Sequence, residues 1–142
     1  MKSTRIDTLR QKGPMKSLYG SMYNYSMKII MAALSVEILF DAAVRIQLLE
    51  RSITIVFADN TIRMKFPTTR RLAEFLDVQH YYVLPYFAMM EQEELVTRAE
   101  RVGIITTAKG SRKMIDLMQE KYRKECSEIL GAVIFEELLK KC

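Results

Sequence analysis

The stretch between Pro67 and Gly110 restricts this chain more than any other part of it. Pro67-Thr68-Thr69 is a helix start, with a threonine hydroxyl placed to cap the first free N–H groups. Leu72, Ala73, Phe75 and Leu76 then make one apolar face, and Asp77 ends the helix. A second helix is expected to begin near His80 or Tyr81, with Val83, Phe87 and Met90 on one face, and to stop near Glu93. Two short β-prone runs follow at residues 95–100 and 102–107, with so little between them that they form a tight hairpin. Short helix, turn, second helix and hairpin, in that order, leave few ways to close a core.

The flanks are helical. From 24 to 50 the apolar residues Ile30, Leu34, Ile38 and Ala42 share a stripe, widened by Met27, Met31, Leu39 and Ile46, so this helix should be largely buried. From Ala108 to about Lys140, apolar residues recur at steps of three to five. The dimer-forming members are expected to be Ile115, Met118, Tyr122, Cys126, Ile129 and Val133. A single helix of that length needs a partner along its stripe, and a second copy of the chain is the economical one. Residues 52–66 fit two readings. Ile53 to Phe57 and Ile62 to Phe66 suit a hairpin around Asp59-Asn60. The helical spacing of Ile46, Leu49, Ile53 and Val56 tips the balance to a helix reaching about Ala58, followed by a short strand.

The order of elements resembles the winged helix-turn-helix superfamily, and MarR-type transcriptional regulators in particular. TRRLAEFLDV at 69–78 looks like the first motif helix and its turn, with Ala73 at the helix crossing and Val78 buried after the turn. Leu95-Val96-Thr97-Arg98 looks like the entry to the wing. Thr106-Thr107-Ala108-Lys109-Gly110 is similar to the L-T-x-K-G that ends the wing, with Thr106 in place of Leu. The resemblance implies a mainly α fold with a small β-hairpin wing and long N- and C-terminal dimerisation helices. The divisions are a basic arm (1–23), a helical region (24–60), the winged motif (61–110) and a C-terminal dimerisation helix (111–142). Three departures stand out. Glu94 replaces the usual glycine before Leu-Val. Pro85 lies inside the second helix. The exposed face of that helix (Gln79, His80, Tyr81, Leu84, Pro85, Ala88, Met89) has no Arg, Lys or Asn to read guanine or adenine.

The resemblance implies double-stranded DNA as partner and a homodimeric regulator as the working form. Thr69, Arg70 and Arg71 would meet phosphates at the start of the first motif helix. Arg98 and Arg101 on the wing, then Lys109 and Arg112, would do so beyond it. Gln79, His80, Tyr81 and Tyr82 would face the groove. The bland alternative for the cations is an ordinary solvated surface. For the aromatic face it is a protein partner at Tyr81, Leu84 and Met89, which makes the rival function a protein-interaction module.

Composition supports this frame. The 142 residues are 49% apolar and 27% charged, enough for one domain with a core that needs no metal or disulfide. Five glycines and three prolines suggest long helices and few tight turns. The net charge of +5 is unevenly placed. Residues 1–28 hold six basic and one acidic side chain, and residues 63–113 hold nine and six, while the rest is slightly acidic. A basic arm plus a modest patch on the motif favours a polyanion. Deleting the arm is expected to weaken DNA binding. Cys126 and Cys142 on one helix would lie ~24 Å apart, too far for an internal bridge. With one histidine and no Gly-rich phosphate loop or nucleophile–base set, neither a metal, a cofactor nor catalysis is expected. The most apolar run, 29–36, is too short and too soon interrupted by charge to span a bilayer, so a cytoplasmic location is expected.

Overall fold

The computed structural model describes residues 34–58 and 60–141. The basic arm, the first part of the expected N-terminal helix, and Cys142 lie outside the described residues. The remainder is mainly helical with one four-stranded antiparallel sheet. Helix α1 (Val36–Leu49) is capped by Ser35, whose hydroxyl accepts from the Ile38 N–H at 3.2 Å. Leu39, Phe40, Ala43, Val44 and Ile46 are buried along it, so α1 is the core's central rod.

The helix does not continue to Ala58. Arg51 adopts φ 52. The Ser52 N–H reaches back to the Gln47 carbonyl and the Arg51 N–H to that of Leu48. This is the paired bonding of a Schellman stop, and it satisfies the last carbonyls while turning the chain out of the helix. The segment beyond forms the hairpin instead. Strands β1 (Ile55–Ala58) and β2 (Thr61–Phe66) pair from Ile55–Met64 to Ala58–Thr61, with Asn60 at φ 63 in the connection. Ile62, Met64 and Phe66 alternate inward, a period of two that outweighs the helical spacing of Ile53 and Val56.

Helices α2 (Thr69–Leu76) and α3 (His80–Gln92) follow, then strands β3 (Val96–Ala99) and β4 (Gly103–Thr106). The strand order is β1-β2-β4-β3, so β4, though last in the chain, lies between β2 and β3. Thr68 caps α2, accepting from the Arg71 N–H. Asp77 at φ 58 and Glu94 at φ 61 end α2 and α3 with the same Schellman bonds. Among the described residues, five non-glycine positions have positive φ: Arg51, Asn60, Asp77, Glu94 and Arg101. Scarce glycine therefore does not mean few tight turns here. The turns are made by residues that carry a cost of about 1 kcal/mol in this conformation.

The expected single C-terminal helix is three: α4 (Ala108–Lys121), α5 (Arg123–Leu130) and α6 (Ala132–Lys141). Gly131, at φ 89 and ψ 142, turns the chain between α5 and α6 in a conformation that a side chain disfavours. Helix α6 then packs back on α5 and α4, with Arg123 bonded to Glu136 at 2.6 Å. Ile115, Met118 and Cys126 are thus buried in the core of a single chain, not on a dimer seam. Tyr122 is half-buried and donates to Asp41 of α1 at 2.7 Å, Ile129 is half-buried, and Val133 is exposed. The helical separation assumed for the two cysteines does not apply to a broken helix.

A buried polar chain joins sheet to helix. The Met64 N–H donates to Thr106 Oγ1 at 2.8 Å, Thr106 lies 2.7 Å from Ser111 Oγ, and Ser111 donates to the Ile62 carbonyl at 2.5 Å. Because the Ser111 proton is committed to Ile62, the Thr106 hydroxyl is the donor to Ser111. Next to this chain, a Cβ on Gly110 would lie 1.9 Å from the Leu95 carbonyl oxygen, so only glycine lets α4 approach the chain just before β3. Thr106→Val should lower the unfolding free energy by about 2 kcal/mol, from the orphaned Met64 N–H. Gly110→Ala should lower it by about 3 kcal/mol. Urea denaturation checks both.

Burial pushes the Cys126 thiol up to about 11, with Glu125 adding to the effect. Burial, then the bond to Asp41, pushes the Tyr122 phenol up to about 12. Unfolded, these groups lose their protons near their ordinary values of 9.0 and 10.0. Their contribution to stability is therefore complete below about pH 9 and is lost as pH rises toward 12. Urea midpoints should fall across that window, and Tyr122→Phe should remove the upper part of the fall.

Candidate nucleic-acid interface

Helix α3 is held at both ends. At its start, Thr69 Oγ1 lies 2.6 Å from His80 Nε2, which pins the first turn of α2 to the first turn of α3. At its end, Lys109 donates to the Glu93 carbonyl at 3.1 Å, a cation at a helix C-terminus where the dipole favours it. Thr107 caps α4 through the Gly110 N–H and donates to the Glu94 carbonyl. The Thr-x-Lys-Gly sequence is thus a clamp: threonine and lysine hold the end of α3, and glycine admits the Leu95 carbonyl.

The inner face of α3 carries Val83, Phe87 and Met90, all buried. Pro85 does not delay the helix, which begins at His80 and includes it. Proline removes one N–H, so the carbonyl of Tyr81, four residues back, has no helical donor. Tyr81 is 58% exposed, and an open carbonyl costs little at such a position. The outward face holds Tyr81, Leu84, Pro85, Ala88 and Met89, all exposed. Tyr81 and Tyr82 stack with centroids 4.3 Å apart, and their hydrogen bond is the main cause that raises the Tyr81 phenol pKa. Gln79 is exposed at the N-cap position.

The cations divide into two groups. Arg71 bonds Glu50 at 3.2 Å and approaches Glu74, which ties α2 to the end of α1. Arg98 pairs with Glu91 of α3 at 3.3 Å and lies over the Phe87 ring. Lys113 pairs with Glu37 at 2.7 Å. These three, with Lys109, bind parts of the fold together. Arg70, Arg101 and Arg112 are exposed and pair with no carboxylate among the described residues. Arg70 follows Thr69 in the first turn of α2, and Thr69 contacts His80 at the start of α3. Arg101 lies at the turn beyond Arg98, whose partner Glu91 is in the last turns of α3. Uncommitted cations thus stand on both elements that flank α3 in the chain, Arg70 on α2 and Arg101 in the β3–β4 turn.

Sequence reasoning placed these arginines together but could not divide them, because their carboxylate partners come from other elements. It also missed the Thr106–Ser111 pair. Its signal was present in the threonine where leucine is usual. Among the described residues, no group of three metal-ligating side chains converges, and no helix is long and apolar enough to cross a membrane. Compared with known proteins, the chain matches no family model, no curated protein and no solved structure.

Glu94 takes the left-handed position at which glycine is the usual residue. Glu94→Gly should therefore raise the unfolding free energy by about 0.5–1 kcal/mol, the backbone strain relieved less the entropy of glycine. An unchanged or lower urea midpoint in this variant would show that the position is not strained.

Proposed function

We propose that the chain is a winged-helix DNA-binding protein, with α3 as the helix that enters the major groove and the β3–β4 hairpin as its wing. The observation that carries this reading is that exposed cations without a carboxylate partner stand on both elements that flank α3, Arg70 on α2 and Arg101 in the hairpin turn. Phosphates line both edges of a major groove, and cations on the elements beside an inserted helix meet them. The α2–α3 pair followed directly by the hairpin, with β4 between β2 and β3, supports the same reading. Lys109 and Thr69 serve it indirectly, by holding α3 in place.

The working form proposed is a homodimeric regulator acting on two half-sites about 34 Å apart. Support for pairing rests on Val133 and Ile134 at the start of α6, which are 76% and 55% exposed, and no longer on the buried Ile115, Met118 and Cys126. A second reading, a protein-interaction module, is favoured by the uncharged outer face of α3, where Tyr81, Leu84 and Met89 are more than two-fifths exposed.

Gel shifts with duplex DNA across a salt titration separate the two. The DNA reading expects affinity to fall steeply with salt. It expects Arg70→Ala and Arg101→Ala each to weaken binding to all duplexes alike and to reduce the salt slope by about 1. Absence of duplex binding, with a protein partner lost on Tyr81→Ala and Leu84→Ala, would establish the second reading instead.

A further inference from the structure

Resting on the DNA reading, we infer that α3 reads thymine methyl groups, and that the chain prefers A·T-rich duplex DNA. The outward face of α3 is built of carbon: the Leu84 and Met89 side chains, Pro85, Ala88 and the Tyr81 ring, with Leu84 44% and Met89 43% exposed. None of its side chains is charged. Guanine displays two acceptors in the major groove and is matched by paired donors from Arg or Lys, and α3 has neither residue. Cytosine displays a donor and is matched by a carboxylate. The one carboxylate of α3, Glu91, lies near its end and is taken by Arg98. Thymine alone presents an apolar group there, its C5-methyl, and an apolar side chain is its natural partner. The one exposed side-chain amide at the start of the helix, Gln79, suits adenine. Charge completes the match. Arg70 on α2 and Arg101 in the hairpin turn supply attraction to phosphate from the flanking elements, so the α3 stripe is free to discriminate by carbon contact.

The test uses three duplexes of equal length at one salt concentration: alternating A·T, the same duplex with deoxyuridine for thymidine, and alternating G·C. Removing the methyl groups deletes only the proposed contact. A buried methyl is worth about fourfold, so two contacted methyls give A·T at least about a tenfold preference over the deoxyuridine duplex. A Leu84→Ala/Met89→Ala variant should bind the A·T and deoxyuridine duplexes equally while keeping its salt dependence. Both side chains are largely outside the core, and circular dichroism checks that the variant is folded. Equal affinity of the wild-type chain for A·T and deoxyuridine duplexes overturns the inference and leaves the DNA reading standing. A preference for A·T over the deoxyuridine duplex that persists in the Leu84→Ala/Met89→Ala variant also overturns it, because the methyl discrimination then lies elsewhere. Failure to bind any of the three overturns the DNA reading itself.

Discussion

The hydrogen-bond chain from Met64 through Thr106 and Ser111 to Ile62 is the join on which the other elements depend. Strands β2 and β4 share only two register pairs, Lys65–Ile105 and Phe66–Ile104. Beyond these the ladder stops as β4 ends at Thr106, and the Met64 N–H and Ile62 carbonyl of β2 would be left without partners. The two hydroxyls supply those partners, one from the end of β4 and one from the first turns of α4. Buried polar groups left unpaired would cost more than the chain gains by pairing them. The relay therefore sets where the sheet lies against α4. The close approach of Gly110 to Leu95 sets where α4 lies against the end of α3. The helix proposed for the groove is positioned through these two contacts.

The same economy governs the charges. Arg71, Arg98, Lys109 and Lys113 each join two elements, through a carboxylate or a helix-end carbonyl. Exposed pairs of this kind add little stability individually, but they neutralise cations that a count along the chain assigns to a binding surface. The positive surface is therefore narrower than the local excess of three in residues 63–113 suggests. Its exposed members without a carboxylate partner include Arg70, Arg101 and Arg112, on elements other than α3, whose own outer face is uncharged.

Elements specified by neighbouring residues could be read in the chain: the threonine cap of α2, the Asp77 stop, the start of α3 and the two strands of the β3–β4 hairpin. Each depends on bonds within a few positions. What escaped reading depends on distant partners or on backbone conformations open to several residue types. Arg51 ends α1 in a left-handed conformation that nothing in its identity signals, so the period of Ile46, Leu49, Ile53 and Val56 read as more helix. Gly131 was visible, but the apolar stripe passes through it unchanged. That stripe read as a seam between two copies, because the spacing of Ile115, Met118 and Cys126 does not reveal that the chain folds back to cover them. At the proposed interface, the bare face of α3 could be read directly, whereas the commitment of Arg71 and Arg98 to Glu50 and Glu91 could not.

The central claim is that the outer face of α3 is a DNA-contacting surface, with phosphate-binding cations on the elements that flank it. Methyl NMR on the full chain, titrated with A·T-rich duplex, tests it most directly. The account predicts that the methyl signals of Leu84, Ala88 and Met89 shift on binding, while those of Val133 and Ile134, on the far C-terminal helix, respond only to pairing of two copies. Unmoved α3 methyls in the presence of bound DNA, or shifts centred on α6, would contradict it.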